Sequence, residues 1–380
     1  MKRCIAGAVL GMMAIFLYGT AFAAGTIRIG GLFAVTGPAS FLGDPGKKTF
    51  DMLVKRINDS GGIDGMKLEA VSYDTGGDAT KAVQLATKLI KDDKVSVILG
   101  PTTTGESMAV IPVAEREKVP MISCGASIKI IDPVKRWVFK TPANDHVAVE
   151  KILNYMSAKS QKTIALLTVT DGFGASGREQ LKAMATQKGF RIVADELYGP
   201  KDTDMTAQLT KIRGIKPDAI ICWGTNPGPA VITRNIRQLG IKVPLYMSHG
   251  VASKKYIQLA GADAAEGVIL PAGKLAIYEV LPKSDPQASL LREYDLGYRK
   301  AFHDEASTFG GYAYDAFMLI ANAIKRYGHT PEQIRNGIEH ASKVVSVSGI
   351  FNMSPRDHNG LDHSAFEMVR ITKGDWAIAK

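Results

Sequence analysis

Residues 26–74 read TIRIGGLFAVTGPASFLGDPGKKTFDMLVKRINDSGGIDGMKLEAVSYD, and this stretch decides the fold. Residues 26–32 alternate between polar and apolar side chains and then become apolar, which predicts a buried strand. A helical pattern follows and ends at Gly61 and Gly62, and residues 68–73 predict a second strand. Strand, helix and strand in this order form the unit from which parallel sheets are built.

Asp44 and Pro45 predict where the first helix begins. An aspartate accepts hydrogen bonds from the free N–H groups of a first helical turn, and proline is tolerated at the first helical position. Phe50, Leu53 and Ile57 then recur at helical spacing. We therefore expect a loop over residues 38–43 and a helix that starts at Asp44.

The alternation of strands and helices continues along the chain. Further strands are predicted at residues 95–99, 119–123, 162–169, 191–197, 219–223 and 244–247, and further helices at 80–92, 101–117, 177–189, 205–213 and 230–239. The alternation restarts after Thr141 and Pro142, residues 267–271 indicate a second crossing, and a broken helical stretch covers 285–326. The pattern predicts an α/β protein with two doubly wound parallel-sheet lobes joined by short hinge strands.

The N-terminus has the pattern of a secretory signal peptide. Lys2 and Arg3 precede an apolar run of about 13 residues, shorter than the ~20 that span a membrane. The triplet AFA (21–23) predicts cleavage between Ala23 and Ala24, with no cysteine at the cut that could carry a lipid. Removal of 23 residues from 380 leaves 357, which suits two domains. We expect a mature protein in the periplasm.

Charge and motifs exclude several classes of protein. The net charge of +10 falls to +8 when Lys2 and Arg3 are removed, and the remaining charges are interspersed, which argues against nucleic acid as a partner. No nucleotide-binding loop, nucleophile elbow or H-E-x-x-H motif occurs in the sequence. We expect neither an enzyme nor a cofactor or metal. Cys124 and Cys222 are expected to be buried free thiols.

Three polar or glycine-rich segments follow predicted strands in the first half, where ligands bind in open parallel sheets. LGPTTTGES (99–107) opens a helix whose free N–H groups and threonine hydroxyls suit a carboxylate. SCGAS (123–127) adds a hydroxyl and free backbone groups. In the third segment, residues 38–43, Phe41 and Leu42 could contact an apolar tail. Each segment alone could also be a capped helix or a satisfied turn.

Several of these motifs resemble those of one family. They are TGPASFLG (36–43), INDSGGIDG (57–65), YD (73–74), GPTTTG (100–105), DGFG (171–174) and GIKVP (240–244). Their order and spacing resemble the branched-chain amino acid (Leu/Ile/Val-type) class of periplasmic solute-binding proteins, which serve ABC importers. The resemblance implies a type I periplasmic binding fold with a three-strand hinge. Lobe 1 would comprise residues 24–143 and 272–348, and lobe 2 residues 144–271 and 349–380.

The resemblance also implies a ligand site between the lobes. Thr104 and its backbone N–H would bind the ligand carboxylate, Ser127 would add its hydroxyl, and the Gly125 carbonyl would face an α-ammonium group. Phe173 and Thr225 would surround the ligand from lobe 2. The expected ligand-binding residues are Leu42, Thr103, Thr104, Gly125, Ser127, Phe173, Thr225 and His249.

His249 departs from the family pattern, because it occupies the position of the acid that pairs with the α-ammonium group. A histidine cannot supply the negative charge that a buried ammonium needs. Either another acid, Asp171 or Glu106, pairs with an amino acid, or the ligand is an aromatic carboxylate related to benzoate. We expect a monomeric solute-binding protein that delivers a small carboxylate to an inner-membrane ABC permease. A sugar-binding or sensory receptor of the same fold is the alternative.

Overall fold

The computed structural model describes residues 25–380, so the predicted signal peptide and its cleavage site at Ala23 and Ala24 lie outside the described residues. The chain begins with a five-stranded parallel sheet in the order β2-β1-β3-β4-β5. Its elements are β1 (Thr26–Phe33), α1 (Ser40–Asp59), β2 (Lys67–Asp74), α2 (Ala79–Lys91), β3 (Val97–Leu99), α3 (Thr104–Glu117), β4 (Met121–Ser123) and β5 (Val138–Lys140). This sheet and its helices form lobe 1.

After β5 the chain crosses into lobe 2 and builds a second sheet. The elements are α4 (Asp145–Ala158), β6 (Thr163–Val169), α5 (Gly172–Gln187), β7 (Arg191–Tyr198), α6 (Thr206–Ile215), β8 (Ala219–Trp223), α7 (Gly228–Gln238), β9 (Leu245–Met247), α8 (Lys254–Ala260), α9 (Ala262–Ala265) and β10 (Ile269–Ala272). Strands β6 to β10 pair in parallel. The whole of β8 is buried, as expected for a strand with helices on both faces of its sheet.

The chain then returns to lobe 1 and finally crosses to lobe 2 again. The elements are α10 (Ala288–Phe302), α11 (Thr308–Tyr327), α12 (Pro331–Glu339), β11 (Val344–Val345), β12 (Ile350–Phe351), β13 (Glu367–Thr372) and β14 (Asp375–Ile378). Helix α11 packs along α1. Strands β13 and β14 add antiparallel to β10, which gives the order β14-β13-β10-β9-β8-β6-β7. The α/β fold with two mainly parallel sheets is confirmed.

The predicted start of α1 is wrong. The helix begins at Ser40, four residues before Asp44, and Pro45 lies inside it. A Cβ atom on Gly43 would lie 2.2 Å from the Ala34 carbonyl oxygen, so only glycine lets the helix pass this close to the end of β1. This tertiary contact outweighs the local signal at Asp44 and Pro45.

Helix α5 also begins earlier than predicted, at Gly172 rather than at residue 177. Its N-cap is Asp171, whose Oδ1 atom accepts a hydrogen bond of 2.8 Å from Gly174 N. The glycine-rich DGFG motif is therefore the first turn of a capped helix.

The segment after β12 contacts lobe 1. His358 Nδ1 lies 2.8 Å from the Val138 carbonyl oxygen, and its ring stacks on Phe139 at 4.1 Å between centroids. We propose that lobe 2 resumes after Leu361 rather than at residue 349. None of the helices between residues 25 and 380 has the length and apolar character needed to cross a membrane.

Candidate functional site

A cavity of about 340 Å³ lies between the two lobes. Segments that follow β1, β2, β3 and β4 form its lobe 1 wall, and segments that follow β6, β7, β8 and β9 form its lobe 2 wall. The first turn of α11 contributes a third side. The carboxyl ends of both parallel sheets therefore face the cavity, as the rule for open α/β sheets predicts.

The N-terminus of α3 carries hydrogen-bond donors that suit an anion. Thr103 is the N-cap: its Oγ1 accepts from Glu106 N at 3.2 Å, and Thr103 N donates to Glu106 Oε2 at 3.0 Å. Ser107 N donates to Thr103 O. The N–H groups of Thr104 and Gly105 thus remain without an intrahelical acceptor, at the positive end of the helix dipole.

The Thr104 side chain completes this arrangement, which we call the anion seat (Thr104 and Gly105). Thr104 is 5% exposed, and its Oγ1 has no hydrogen-bond partner among residues 25–380. A buried hydroxyl without a partner is uncommon in folded proteins. The geometry suits a ligand oxygen that accepts hydrogen bonds from the hydroxyl and the two N–H groups.

Two glycines lie close to the anion seat, and their lack of a side chain leaves space there for a ligand. A Cβ atom on Gly125 would lie 3.1 Å from Thr104 N and 2.9 Å from Ile130, so a side chain there would fill the space at the seat. From lobe 2, a Cβ atom on Gly172 would lie 3.4 Å from the Thr104 methyl group and 3.5 Å from Gly105 N. The two lobes therefore meet beside the seat.

An aromatic cluster surrounds His249, and of its members Phe173 and His249 line the cavity. The His249 ring centroid lies 5.4 Å from that of Phe173, 5.8 Å from that of Trp223 and 5.1 Å from that of Phe366. Burial, assisted by the positive charge of Lys140, lowers the pKa of His249 to about 3. The imidazole is therefore neutral at physiological pH, and neither ring nitrogen has a hydrogen-bond partner in the described chain.

Two charged side chains are among the described residues that line the cavity, Asp171 and Lys201. Burial raises the pKa of Asp171, although hydrogen bonds from Gly174 and Phe173 N–H groups oppose this shift. Lys201 is exposed. Glu106 does not line the cavity, because its carboxylate is held by Thr103. Of the two acids considered as partners for an ammonium group, only Asp171 faces the ligand space.

The structure brings most of the predicted site residues together. Those that line the cavity are Leu42, Thr103, Thr104, Gly125, Phe173, Thr225 and His249. Ser127 does not line it: its hydroxyl donates to Ser176 Oγ at 2.7 Å and accepts from Lys129 N. Phe41 is also absent from the lining and packs edge-on against Phe309 at 5.5 Å.

Five further residues that line the cavity were not predicted from the sequence. They are Tyr198, Lys201, Asn226, Phe309 and Tyr312. Tyr198 and Asn226 lie at or just after the ends of β7 and β8, so the strand-end rule could have identified them. Phe309 and Tyr312 lie on α11, and no local signal indicates that this helix reaches the cavity. Within the described residues, no group of three or more His, Cys, Asp or Glu could hold a metal ion.

Comparison with known proteins identifies the family. The profile described as periplasmic binding protein matches residues 26–375. The chain belongs to this family, whose members are binding proteins. The chain is also similar to the leucine-, isoleucine-, valine-, threonine- and alanine-binding protein of Pseudomonas aeruginosa, with 25% identity over 91% of this chain and 90% of that protein.

Two solved structures have the same fold. An extracellular ligand-binding receptor from Rhodopseudomonas palustris HaA2 superposes with a TM-score of 0.88 and 29% identity, covering 93% of this chain and 99% of the receptor. The branched-chain amino acid transporter substrate binding protein LivJ from Streptococcus pneumoniae, in complex with isoleucine, gives a TM-score of 0.82 and 27% identity over 92% and 97% of the two chains. The predicted resemblance to type I periplasmic binding proteins is confirmed.

Proposed function

We propose that this protein is the solute-binding component of an ABC importer and captures a small carboxylate between its two lobes. The observation that supports this proposal is the anion seat, where the Thr104 hydroxyl is buried without a partner among residues 25–380, beside two first-turn N–H groups that have no intrahelical acceptor. Named relatives bind small carboxylates: the P. aeruginosa protein is named for five amino acids, and the S. pneumoniae structure holds isoleucine.

The protein captures its ligand because the ligand contacts both lobes. A carboxylate at the anion seat accepts charge-assisted hydrogen bonds, each contributing roughly 1.5–3 kcal/mol. The rest of the ligand contacts Phe173, Thr225 and His249 of lobe 2. A ligand that touches both lobes favours the closed form over the open form by hinge motion. The closed protein then docks on a permease in the inner membrane.

An amino acid is the first candidate ligand, and Asp171 is the acid available to its ammonium group. Asp171 lines the cavity but also caps α5, so part of its charge already stabilises that helix. Its pKa is raised by burial. Pairing with an α-ammonium group would lower that pKa again, because the opposite charge favours the ionised carboxyl.

An aromatic carboxylate related to benzoate is the second candidate, and the surroundings of His249 favour it. A neutral imidazole among Phe173, Trp223 and Phe366 offers no negative charge to an ammonium group. Of the apolar side chains that line the cavity, Phe173, Phe309 and Leu42 offer surface to an aromatic ring.

The proposal places the mature protein in the periplasm as a monomer. The periplasmic location rests on the signal-peptide pattern of residues 1–23 and on the family to which the chain belongs. A sensory receptor would use the same cavity, so a role in transport requires a permease that the loaded protein contacts.

A thermal-shift screen of amino acids, aromatic acids, aliphatic acids and sugars tests this function. We expect at least one acid to raise the melting temperature of the mature protein, because a ligand that binds only the folded state stabilises it. Stabilisation by sugars alone would contradict the proposal. Calorimetry with the best acid then gives its affinity, and addition of the loaded protein to permease vesicles tests transport.

A further inference from the structure

The lobe 2 wall holds a second group of buried polar atoms, which we call the far polar patch (Asn226 and His249). Asn226 is 5% exposed, and both its amide nitrogen and its amide oxygen have no hydrogen-bond partner in the described part of the chain. His249 is 1% exposed, and both its ring nitrogens are equally without partners. Both side chains line the cavity from the ends of β8 and β9, whereas the anion seat belongs to lobe 1.

Such atoms are costly to bury. A buried donor or acceptor without a partner destabilises the folded state, and natural proteins retain few of them. Two donor atoms and two acceptor atoms make up this patch, counting one of each for a neutral imidazole. A ligand that satisfies them recovers much of this free energy, so the patch acts as a specificity element.

We propose that the natural ligand is bifunctional: it places a carboxylate at the anion seat and a hydroxyl at the far polar patch. This inference rests on the proposed function, because it takes the same cavity and the same seat as given. The ligand class is therefore a hydroxy-substituted small carboxylate, whose hydroxyl lies at the opposite end from the carboxylate.

The chemistry of the patch selects a neutral group over a charged one. A second carboxylate only accepts hydrogen bonds, so it would leave the Asn226 amide oxygen unpaired. The positive charge that could pair with it belongs to Lys201, which lines the cavity but is exposed. An ammonium group only donates and would leave the Asn226 amide nitrogen unpaired. A hydroxyl donates one hydrogen bond and accepts up to two, so it can satisfy an acceptor of the patch as well as a donor.

Matched ligand pairs test this inference by calorimetry. The pairs are benzoate with para-hydroxybenzoate, phenylpropanoate with para-hydroxyphenylpropanoate, and pentanoate with 5-hydroxypentanoate. We expect the hydroxylated member to bind at least tenfold more tightly in one pair or more. In that pair, Asn226→Leu should reduce the ratio to about one.

Two further variants keep the test decisive. Asn154→Leu is the matched control, since Asn154 is exposed on α4, and it should leave the ratio unchanged. If Asn226→Leu does not fold, His249→Phe removes the other half of the patch with a similar ring and should reduce the same ratio.

The outcomes separate the inference from the proposed function. Equal affinities within all three pairs would overturn the inference, and the function would stand if Thr104→Ala still weakens binding of the plain acids. Tighter binding of terephthalate than of para-hydroxybenzoate would overturn it in favour of a charge-selecting role for Lys201. If no acid binds at all, the proposed function fails and the inference fails with it.

Discussion

Ser127 donates a hydrogen bond of 2.7 Å to Ser176 and so joins lobe 1 to lobe 2. Ser176 in turn donates to Asp145, and Asp145 Oδ1 accepts from Ile128 N at 3.0 Å. All three polar side chains are buried. The serine that the sequence placed against the ligand therefore holds the lobes together beside the cavity.

This bond predicts how Ser127→Ala behaves. Loss of one buried hydrogen bond between lobes weakens the closed form, so we expect every acid to bind two- to tenfold more weakly, by the same factor. Calorimetry with several acids measures the factor. In a Ser176→Ala background the substitution should add little, since the partner is already gone. A full additional loss in that background would show that Ser127 contacts the ligand.

Thr104 is predicted to be the main side-chain contact of the carboxylate. Thr104→Ala removes the buried hydroxyl, and we expect the affinity for the best acid to fall at least tenfold in calorimetry, because a charge-assisted hydrogen bond contributes roughly 1.5–3 kcal/mol. Thr104→Ser keeps the hydroxyl and should bind within about threefold of the wild type. Unchanged affinity in Thr104→Ala would refute the role of this residue.

His249 is predicted to set the preference between amino acids and aromatic acids. His249→Glu introduces a negative charge at the position that the resemblance assigns to the family's acid, so binding of leucine relative to benzoate should rise at least tenfold. His249→Gln adds no charge and serves as the control, with the relative preference unchanged. A shift toward benzoate in His249→Glu would show that this residue does not face the ammonium position.

Lys140 is predicted to make stability depend on pH. It is fully buried, and burial lowers its pKa to about 7 from 10.5, although Asp145 and Asp357 oppose the shift. Its Nζ donates to the Pro142 carbonyl oxygen. The unfolded chain binds more protons than the folded protein between these pKa values, so the cost of burying Lys140 is complete below pH 7 and declines as the pH rises toward 10.5.

Replacing this lysine by methionine should therefore stabilise the protein more at about pH 6 than at about pH 9. We expect the gain in melting temperature to differ between the two pH values by several degrees, since ~1 kcal/mol moves the melting temperature of a domain of this size by ~2–4 °C. Lys140→Arg keeps a permanent charge and should be destabilised at both pH values. An equal gain at both pH values would contradict the assignment of a lowered pKa.

The regular part of the fold was predictable from local patterns. The strand β8 has the predicted bounds Ala219–Trp223, because a fully buried parallel strand is continuously apolar and ends at turn residues. The start of α1 was not predictable, because it depends on the contact between Gly43 and Ala34 that forms only in the folded chain. Local sequence patterns predict single strands and helices well, but they do not predict the contacts between them.

The candidate site shows the same division. The anion seat was predictable, since hydroxyls and a glycine at a helix N-terminus are adjacent in sequence. The partner of Ser127 was not, because Ser176 lies on a helix of the other lobe. Nor was the reach of α11, whose Phe309 and Tyr312 enter the cavity only through the return of the chain to lobe 1.

A crystal structure of the mature protein with its tightest-binding acid tests the central claim most directly. We predict one carboxylate oxygen within hydrogen-bond distance of Thr104 Oγ1 and of the Thr104 or Gly105 N–H group, with both lobes in contact with the ligand. A carboxylate bound elsewhere, with the N-terminus of α3 left to solvent, would contradict the account.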